Sequence, residues 1–231
     1  MRHPSRRALK ILFSLGFLLN AMIAQAITPV TIKKETDKYL VDIKYPQGFQ
    51  SSEVNSTIKE FIEKTQDQFM KSLSEDADVP SDAPGKTGLN ITYSVPYQSK
   101  NALSVRFNVS IYHRGAAHPA NNVVVKNFID GHSVQLSDLF VSGAGYLKPI
   151  AAFSKQAITA KKISDAKWIA EGTKPAEKNY EVWSFNDKGI AIIFNSYQVA
   201  AYVYGEQTVV IPLDNISSML KPKISATVWG R

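Results

Sequence analysis

The sequence predicts an α+β fold, in which a mixed, largely antiparallel β-sheet packs against helices and two lobes form one domain. Segments that alternate apolar and polar residues dominate the chain, as expected for half-buried strands. One long segment instead repeats its apolar residues every three or four positions, which is typical of an amphipathic helix. The helices lie between groups of strands, and this order favours largely antiparallel pairing.

Residues 1–26 have the pattern of a secretory signal peptide. The positive charges of its first part are Arg2, Arg6, Arg7 and Lys10. The apolar stretch "ILFSLGFLLNAMI" follows and ends at an A-x-A cleavage site, Ala24-Gln25-Ala26. A membrane span needs about 20 apolar residues, so cleavage is favoured over an uncleaved anchor. We predict a periplasmic or secreted protein without a membrane span after cleavage.

Composition excludes several kinds of chemistry. The chain contains no cysteine, which removes disulfides, thiol catalysis and a lipid-anchoring cysteine. The formal net charge is +7, from 27 Lys and Arg against 20 Asp and Glu. The signal peptide holds four of the basic residues and none of the acidic ones, which leaves 23 against 20, or +3. Such a balance does not favour nucleic acid or membranes as partners.

Residues 27–113 are predicted to form an N-terminal lobe of strands, one helix and a hairpin. Val30–Lys34 and Lys38–Tyr45 alternate like strands, although Leu40 is out of phase. Leu89–Gln98 and Ala102–His113 form the hairpin around the polar turn "SKN". In its second strand one face is apolar. The opposite face, predicted to be in contact with water, carries Ser104, Arg106, Asn108 and Ser110.

The clearest helix lies between these two strand pairs. Its apolar positions are Val54, Ile58, Phe61, Ile62, Thr65, Phe69 and Leu73. Ser51 or Ser52 is expected to cap it, with Glu53 in the first turn. A helix with one apolar stripe must pack on another element, most simply a sheet. An exposed loop rich in Asp, Pro, Gly and Ser follows at Ser74–Gly88.

Residues 114–231 are predicted to form a C-terminal α+β lobe. "NNVVVKNFID" is a strand, Asp130-Gly131 is a turn into a short strand, and "LSDLF" is a further turn opened by Ser137 and Asp138. A helix is predicted from about Tyr146 to Ile163. "YEVWSFN", "GIAIIFN" and "TVVIPL" are strands, and Asp214 is expected to cap a short helix through Leu220.

The segment "HRGAAHPANN", residues 113–122, has three possible roles: a metal site, a catalytic loop or a structural turn. His113 and His118 are five residues apart, but zinc requires three or four ligands, and a third would have to be His132 or a distant carboxylate. A P-loop at "APGKTG" fails because Pro80 stands where the first glycine belongs. Asp130 and Asp138 are most simply a turn residue and a helix cap.

The order of "HRGAAHPANN", "NFIDGHSVQLSDLF" and "FNDKGIAIIFNSYQVAAYVYGEQTVVIPLDNI" resembles a bacterial extracytoplasmic domain family. The ectodomain of the anti-sigma factor RsiV, the non-catalytic N-terminal region of the deacetylase PdaC and a secreted mycobacterial antigen share it. The segments that match fall at Gly115–His118, Asn127–Gly131, Leu136–Phe140, Gly189–Ile190, Tyr197–Gly205 and Val209–Pro212. This chain departs from the pattern at Ala201 and Val203, where the family has proline and alanine, and at Ile129, which precedes Asp130.

The resemblance implies a helix-covered sheet, an extracytoplasmic setting and a binding role, with "HRGAAHPANN" as a structural turn. We therefore predict a module without catalysis, cofactor or metal that binds lysozyme or a cell-wall component. Its candidate binding residues are Arg114, His118, Tyr197 and Tyr202, since exposed aromatic side chains suit sugars and protein surfaces. The alternative is an enzyme acting on cell-wall polymers, carried by His118, Arg114, Asp138 and Tyr197. The acidic loop Glu75–Asp82 could attract a basic lysozyme.

Overall fold

A computed structural model describes residues 27–73 and 83–231, so the predicted signal peptide and the acidic part of the predicted loop lie outside the described residues. The first sheet contains six strands in sequential order. They are β1 (Thr28–Glu35), β2 (Tyr39–Gln47), β3 (Thr87–Gln98), β4 (Ala102–Tyr112), β5 (Ala120–Ile129) and β6 (His132–Ser133). All neighbours pair antiparallel except β2 and β3, which are parallel. The predicted mixed, largely antiparallel sheet is confirmed.

Helix α1 (Ser52–Ser72) connects the two parallel strands and covers one face of this sheet. Its buried side chains are Val54, Ile58, Ile62 and Phe69. They join a core with the inward positions of β2, β3 and β4, because alternate residues of a strand point to one face. The predicted alternation of β2 is confirmed, with Leu40 43% exposed and its two neighbours buried.

The start of α1 is tied to the turn between β5 and β6. Ser51 caps the helix by accepting a hydrogen bond from Val54 N at 3.3 Å, and its hydroxyl donates to Gly131 O at 2.8 Å. Gly131 has φ +81°, and a Cβ there would lie 2.8 Å from Ser51 Cβ. The predicted Asp130-Gly131 turn is therefore confirmed, and it requires glycine for both its backbone angle and the close approach of α1.

A second, antiparallel sheet has three strands, β7 (Trp183–Asn186), β8 (Gly189–Phe194) and β9 (Gln207–Pro212). Three helices accompany it: α2 (Leu147–Lys161), α3 (Ala166–Gly172) and α4 (Pro222–Trp229). Every residue of β8 is buried, so this strand lies at the centre of the hydrophobic core that surrounds the second sheet. No helix in the described ranges is both long and apolar enough to cross a bilayer.

The face of the first sheet that points away from α1 is its open face. The second sheet covers one end of this open face. Ser104 is therefore fully buried, which corrects the prediction that its side chain is in contact with water. Its hydroxyl donates to Asn127 Oδ1 at 2.7 Å and accepts from Phe185 N at 3.0 Å. Asn127 Nδ2 in turn donates to Trp183 O at 2.8 Å. These bonds link both sheets and satisfy the polar groups that their contact buries.

Several predicted elements of the C-terminal part differ from the structure. Asp214 does not cap a helix through Leu220; it lies inside a 3-10 turn, Leu213–Asn215, which a second 3-10 turn follows. Asp138 is the third residue of a 3-10 turn and accepts from Gln135 N at 2.8 Å, so it does act at a helix start. The strand predicted in "YEVWSFN" begins only at Trp183, and α3 and α4 were not predicted.

Candidate functional site

A polar groove occupies the half of the first sheet's open face that the second sheet leaves uncovered. Asn90 of β3 pairs in register with Ser110 of β4, and Ser110 pairs with Asn121 of β5. Cross-strand partners share a face of the sheet, so these side chains form a row across three strands. The groove has a volume of about 590 Å³. Its other polar lining residues are Arg106, Asn108, Asn122, Ser196, Tyr202 and Glu206.

The segment 195–206 forms the second wall of the groove and is attached to the sheet at both ends. At one end the Asn195 side chain accepts from Val123 N at 2.7 Å and donates to Val123 O at 3.2 Å, as a neighbouring strand would. At the other end Glu206 forms an ion pair with Arg106. Arg106 also donates two hydrogen bonds to Asn108 Oδ1, at 3.1 and 3.0 Å. The groove is therefore framed by hydrogen bonds between its own walls.

Three aromatic side chains, His118, Tyr197 and Tyr202, form a cluster at the edge of this groove. The rings of His118 and Tyr202 stack with centroids 3.9 Å apart and planes 18° apart. The Tyr197 ring lies 5.6 Å from Tyr202 and 6.4 Å from His118. Tyr202 also lines the polar groove, so it belongs to both features. Tyr197 is 52% exposed, which leaves an aromatic surface open to a ligand.

Hydrogen bonds fix the orientation of these rings. His118 Nδ1 lies 3.0 Å from Pro119 O, which can only accept, so Nδ1 carries the proton. In the neutral ring Nε2 is then free to accept from the Tyr197 hydroxyl at 3.3 Å. Tyr202 donates to the same Pro119 carbonyl at 3.0 Å and accepts from Asn121 Nδ2 at 2.7 Å. The aromatic cluster and the row of amides are thus one hydrogen-bonded unit.

Helix α3, which the sequence pattern does not predict, positions Tyr197. Tyr197 has φ +68°, a left-handed backbone conformation that residues other than glycine rarely adopt. Trp168 of α3 donates its indole N–H to Tyr197 O at 2.9 Å. Gly172, at the end of α3, is so close that a Cβ would lie 2.0 Å from Gln198 O. The helix therefore supports the loop by direct backbone packing, for which glycine is required.

The structure brings together three of the four predicted binding residues. Arg114 is not among them: its Nε donates to Ala83 O at 2.7 Å, and its backbone N–H donates to Thr87 Oγ1. Asp138, named in the enzyme alternative, is bound to the Gln135 amide instead. His132, a candidate for the third metal ligand, lies instead beside the start of α1, with its Nδ1 2.7 Å from Glu53 Oε2. Within the described ranges, no group of three His, Asp or Glu is arranged to hold a metal ion.

Sequence reasoning missed the amides of the site. Asn90 and Asn121 lie on predicted strands, but only the observed register places both of them opposite Ser110. Asn195 could have been suspected because it directly ends an apolar strand, yet its bond to β5 requires a contact across 72 residues of sequence. The tyrosines were found because large aromatic residues beside predicted strands stand out in the sequence itself.

Two family models match separate parts of the chain. Residues 137–214 match the family described as a protein of unknown function, DUF3298, and residues 32–121 match the family described as deacetylase PdaC. The predicted resemblance to this kind of protein is confirmed. The finer likeness to the RsiV ectodomain and to the mycobacterial antigen stays a prediction.

One curated relative and two solved structures are similar to this chain. The chain is 30% identical over 186 residues to the peptidoglycan-N-acetylmuramic acid deacetylase PdaC of Bacillus subtilis, across 78% of this chain but only 38% of that enzyme. A DUF3298 family protein from Pseudomonas aeruginosa has a TM-score of 0.60 at 15% identity, over 87% of this chain and 96% of its own. A DUF3298 member from Bacteroides fragilis has a TM-score of 0.61 at 18% identity, over 90% and 99%. The solved structures show that the fold is shared.

Proposed function

We propose that this chain is an extracytoplasmic module that binds a cell-wall glycan in the polar groove, with the aromatic cluster as a platform for a sugar ring. The observation that carries the proposal is the bond between Asn121 and Tyr202, which joins a row of amides to a stacked aromatic pair. A sugar has apolar C–H faces and a polar edge of hydroxyl and acetamido groups. Aromatic rings bury the faces, and Asn and Arg side chains pair with the edge.

The relative supports the choice of ligand. That relative is a deacetylase of the N-acetylmuramic acid of peptidoglycan, an N-acetylated sugar within a cell-wall glycan. Peptidoglycan lies outside the cytoplasmic membrane, which agrees with the predicted signal peptide. Because the chain spans 38% of that enzyme, the deacetylase activity does not transfer with the similarity. We propose binding without cleavage, since Arg114 and Asp138 are bound elsewhere and do not join His118 and Tyr197.

The test measures binding of the purified chain to peptidoglycan sacculi by co-sedimentation, and to a soluble N-acetylglucosamine tetramer by calorimetry. Tyr202→Ala is expected to weaken both by tenfold or more, because it removes the stacked ring and the hydroxyl that Asn121 binds; loss of one stacked aromatic contact costs about 1–3 kcal/mol. Tyr204→Ala is the matched control: Tyr204 is in the same turn and 49% exposed, but it does not line the groove. Binding of lysozyme is measured in parallel.

Three results would contradict the proposal. The first is absence of binding to sacculi, and the second is equal losses from Tyr202→Ala and Tyr204→Ala. The third concerns the enzyme alternative, which the deacetylase family match supports. Mass spectrometry of the recovered glycan is expected to show unchanged mass; loss of acetyl groups or of chain length would establish a reaction.

A further inference from the structure

A second cavity, the apolar cleft, is lined mainly by the segment of chain that joins the first sheet to α2. It shares no lining residue with the polar groove. Its volume is about 560 Å³, in the range of sites that hold small molecules. Residues 137–148 form most of it, and Pro175 and Lys221 close it. The glycan site makes no use of this cleft, so a ligand in the cleft is independent of the proposed function.

Aromatic rings form the floor of the apolar cleft. Phe140 and Tyr146 stack with centroids 4.2 Å apart and planes 2° apart. Burial raises the pKa of the Tyr146 hydroxyl, and the nearby acids Glu177 and Asp138 raise it further. The phenol is therefore neutral at physiological pH and adds no negative charge to the cleft.

Two backbone hydrogen bonds hold the start of the loop that borders the cleft. Val141 N donates to Met219 O at 2.9 Å, and Lys221 N donates to Leu139 O at 2.9 Å. Gly143 and Gly145 have positive φ, and no atom lies within 4 Å of where their Cβ atoms would be. The open space beside these glycines belongs to a loop that is fixed in position.

Two of the three charged side chains that line the cleft are cationic. Lys148 and Lys221 both line the cleft. In the part of the chain that the structure describes, neither lysine forms an ion pair with a carboxylate. The third is the carboxylate of Asp138, which accepts a hydrogen bond from Gln135 N at 2.8 Å, so the cations outnumber the acid two to one. An apolar floor with two cations at its rim is complementary to a ligand with an apolar body and an anionic end.

We propose that the apolar cleft binds a free amphipathic anion, that is, a single acyl chain of roughly a dozen carbons with a carboxylate. The chain packs on the ring of Tyr146, which the buried ring of Phe140 supports from behind, and the carboxylate lies between the ammonium groups of Lys148 and Lys221. If each carbon or oxygen atom of the ligand takes about 30 Å³, the volume of one water molecule, a cavity of about 560 Å³ accommodates one such chain. It is too small for a phospholipid with two chains.

The test is calorimetric titration of the chain with laurate below its micelle concentration. Laurate is expected to bind, whereas acetate, which lacks the chain, and dodecyltrimethylammonium, which reverses the charge, are expected to bind at least tenfold more weakly. The variant with both Lys148→Gln and Lys221→Gln is expected to lose fivefold or more in laurate affinity. Lys155→Gln, an exposed lysine on the same helix α2 outside the cleft, is the matched control.

A variant that fills the cleft makes the test independent of charge. Ala144 lines the cavity, and Ala144→Phe is expected to abolish laurate binding while leaving the thermal midpoint within a few degrees. Equal affinity for laurate and the cationic detergent, no effect of the double lysine variant, or no binding of laurate would overturn the proposal. Retention on phosphatidylglycerol vesicles without laurate binding would also overturn it, in favour of a membrane surface.

Discussion

At the scale of single residues, Ser104 shows how a polar side chain on a predicted water-facing position becomes part of the interior. Its hydroxyl has two partners, Asn127 Oδ1 and Phe185 N, and the residue is fully buried. Alternation along β4 predicts the face to which Ser104 points, but not what covers that face. The same alternation correctly places Arg106 and Asn108 in the polar groove.

Ser104→Ala is expected to destabilise the protein by about 1–3 kcal/mol, because it leaves the buried Phe185 N–H and Asn127 Oδ1 without this partner. Ser110→Ala is the matched control, since Ser110 is on the same strand and face but only half-buried in the groove. It is expected to change stability by less than about 0.5 kcal/mol. Urea unfolding followed by circular dichroism measures both, and equal effects would contradict the role assigned to Ser104.

At the scale of elements, a charged group at the start of α1 binds that helix to strand β6. Glu53 accepts from Ser133 N at 2.9 Å, and its other oxygen lies 2.7 Å from His132 Nδ1. The Ser133 amide, and then His132, lower the pKa of the Glu53 carboxyl below its ordinary value of 4.5. The folded protein thus favours the ionised carboxylate more than the unfolded chain does.

The sign of the pH dependence follows from that lowered pKa. The stability that Glu53 contributes is present above about pH 4.5 and is lost as the pH falls through the lower value in the folded state. Wild-type protein is therefore expected to be more stable than Glu53→Gln at pH 6, and the difference is expected to shrink towards pH 3. Denaturant unfolding at several pH values tests this, with Glu60→Gln on the same helix as control. A difference that grows on acidification would refute it.

The length of an element decided how well the sequence predicted it. The 21 residues of α1 give enough turns for a clear apolar stripe, and Ser51 marks its start. Helix α3 has only seven residues, too few for a period, and its single signal is Asp165, which accepts from Lys167 N and Trp168 N. Pro222 at the start and Gly230 at the end of α4 were signals of the same kind.

The candidate site was predictable only in part for a similar reason. Aromatic residues stand out in a sequence, whereas the row of amides depends on strand register. The register between β3 and β4 shifts between Ser94 and Tyr97, around Pro96. A proline inside a strand signals such an irregularity but does not fix the register on either side of it. His118, Tyr197 and Tyr202 were therefore named from the sequence, while Asn121 and Asn195 required the structure.

At the scale of the whole molecule, the two sheets share buried contacts and are expected to unfold together. Tyr97 of β3 donates to Val228 O of α4 at 2.9 Å, and Asn127 of β5 bonds to β7. All three tryptophans, Trp168, Trp183 and Trp229, belong to the C-terminal part. Tryptophan fluorescence therefore reports on that part, while far-ultraviolet circular dichroism also reports on α1 and the first sheet.

We expect the two signals to give the same urea midpoint and the same slope, as in a single cooperative transition. Ser104→Ala is expected to shift both signals together, because it weakens the link between the sheets rather than either sheet alone. Two separated midpoints in the wild-type protein would show instead that the lobes unfold independently.

The attachment of segment 195–206 to the sheet has a kinetic consequence. Because Asn195 and Glu206 anchor both ends of this wall, we expect the proposed glycan to enter without a preceding closing motion. On binding, such a glycan is expected to lose mainly its own freedom, and we expect similar encounter rates for short and long oligosaccharides. Residence time, rather than speed of capture, is what distinguishes a well-matched ligand from a poor one.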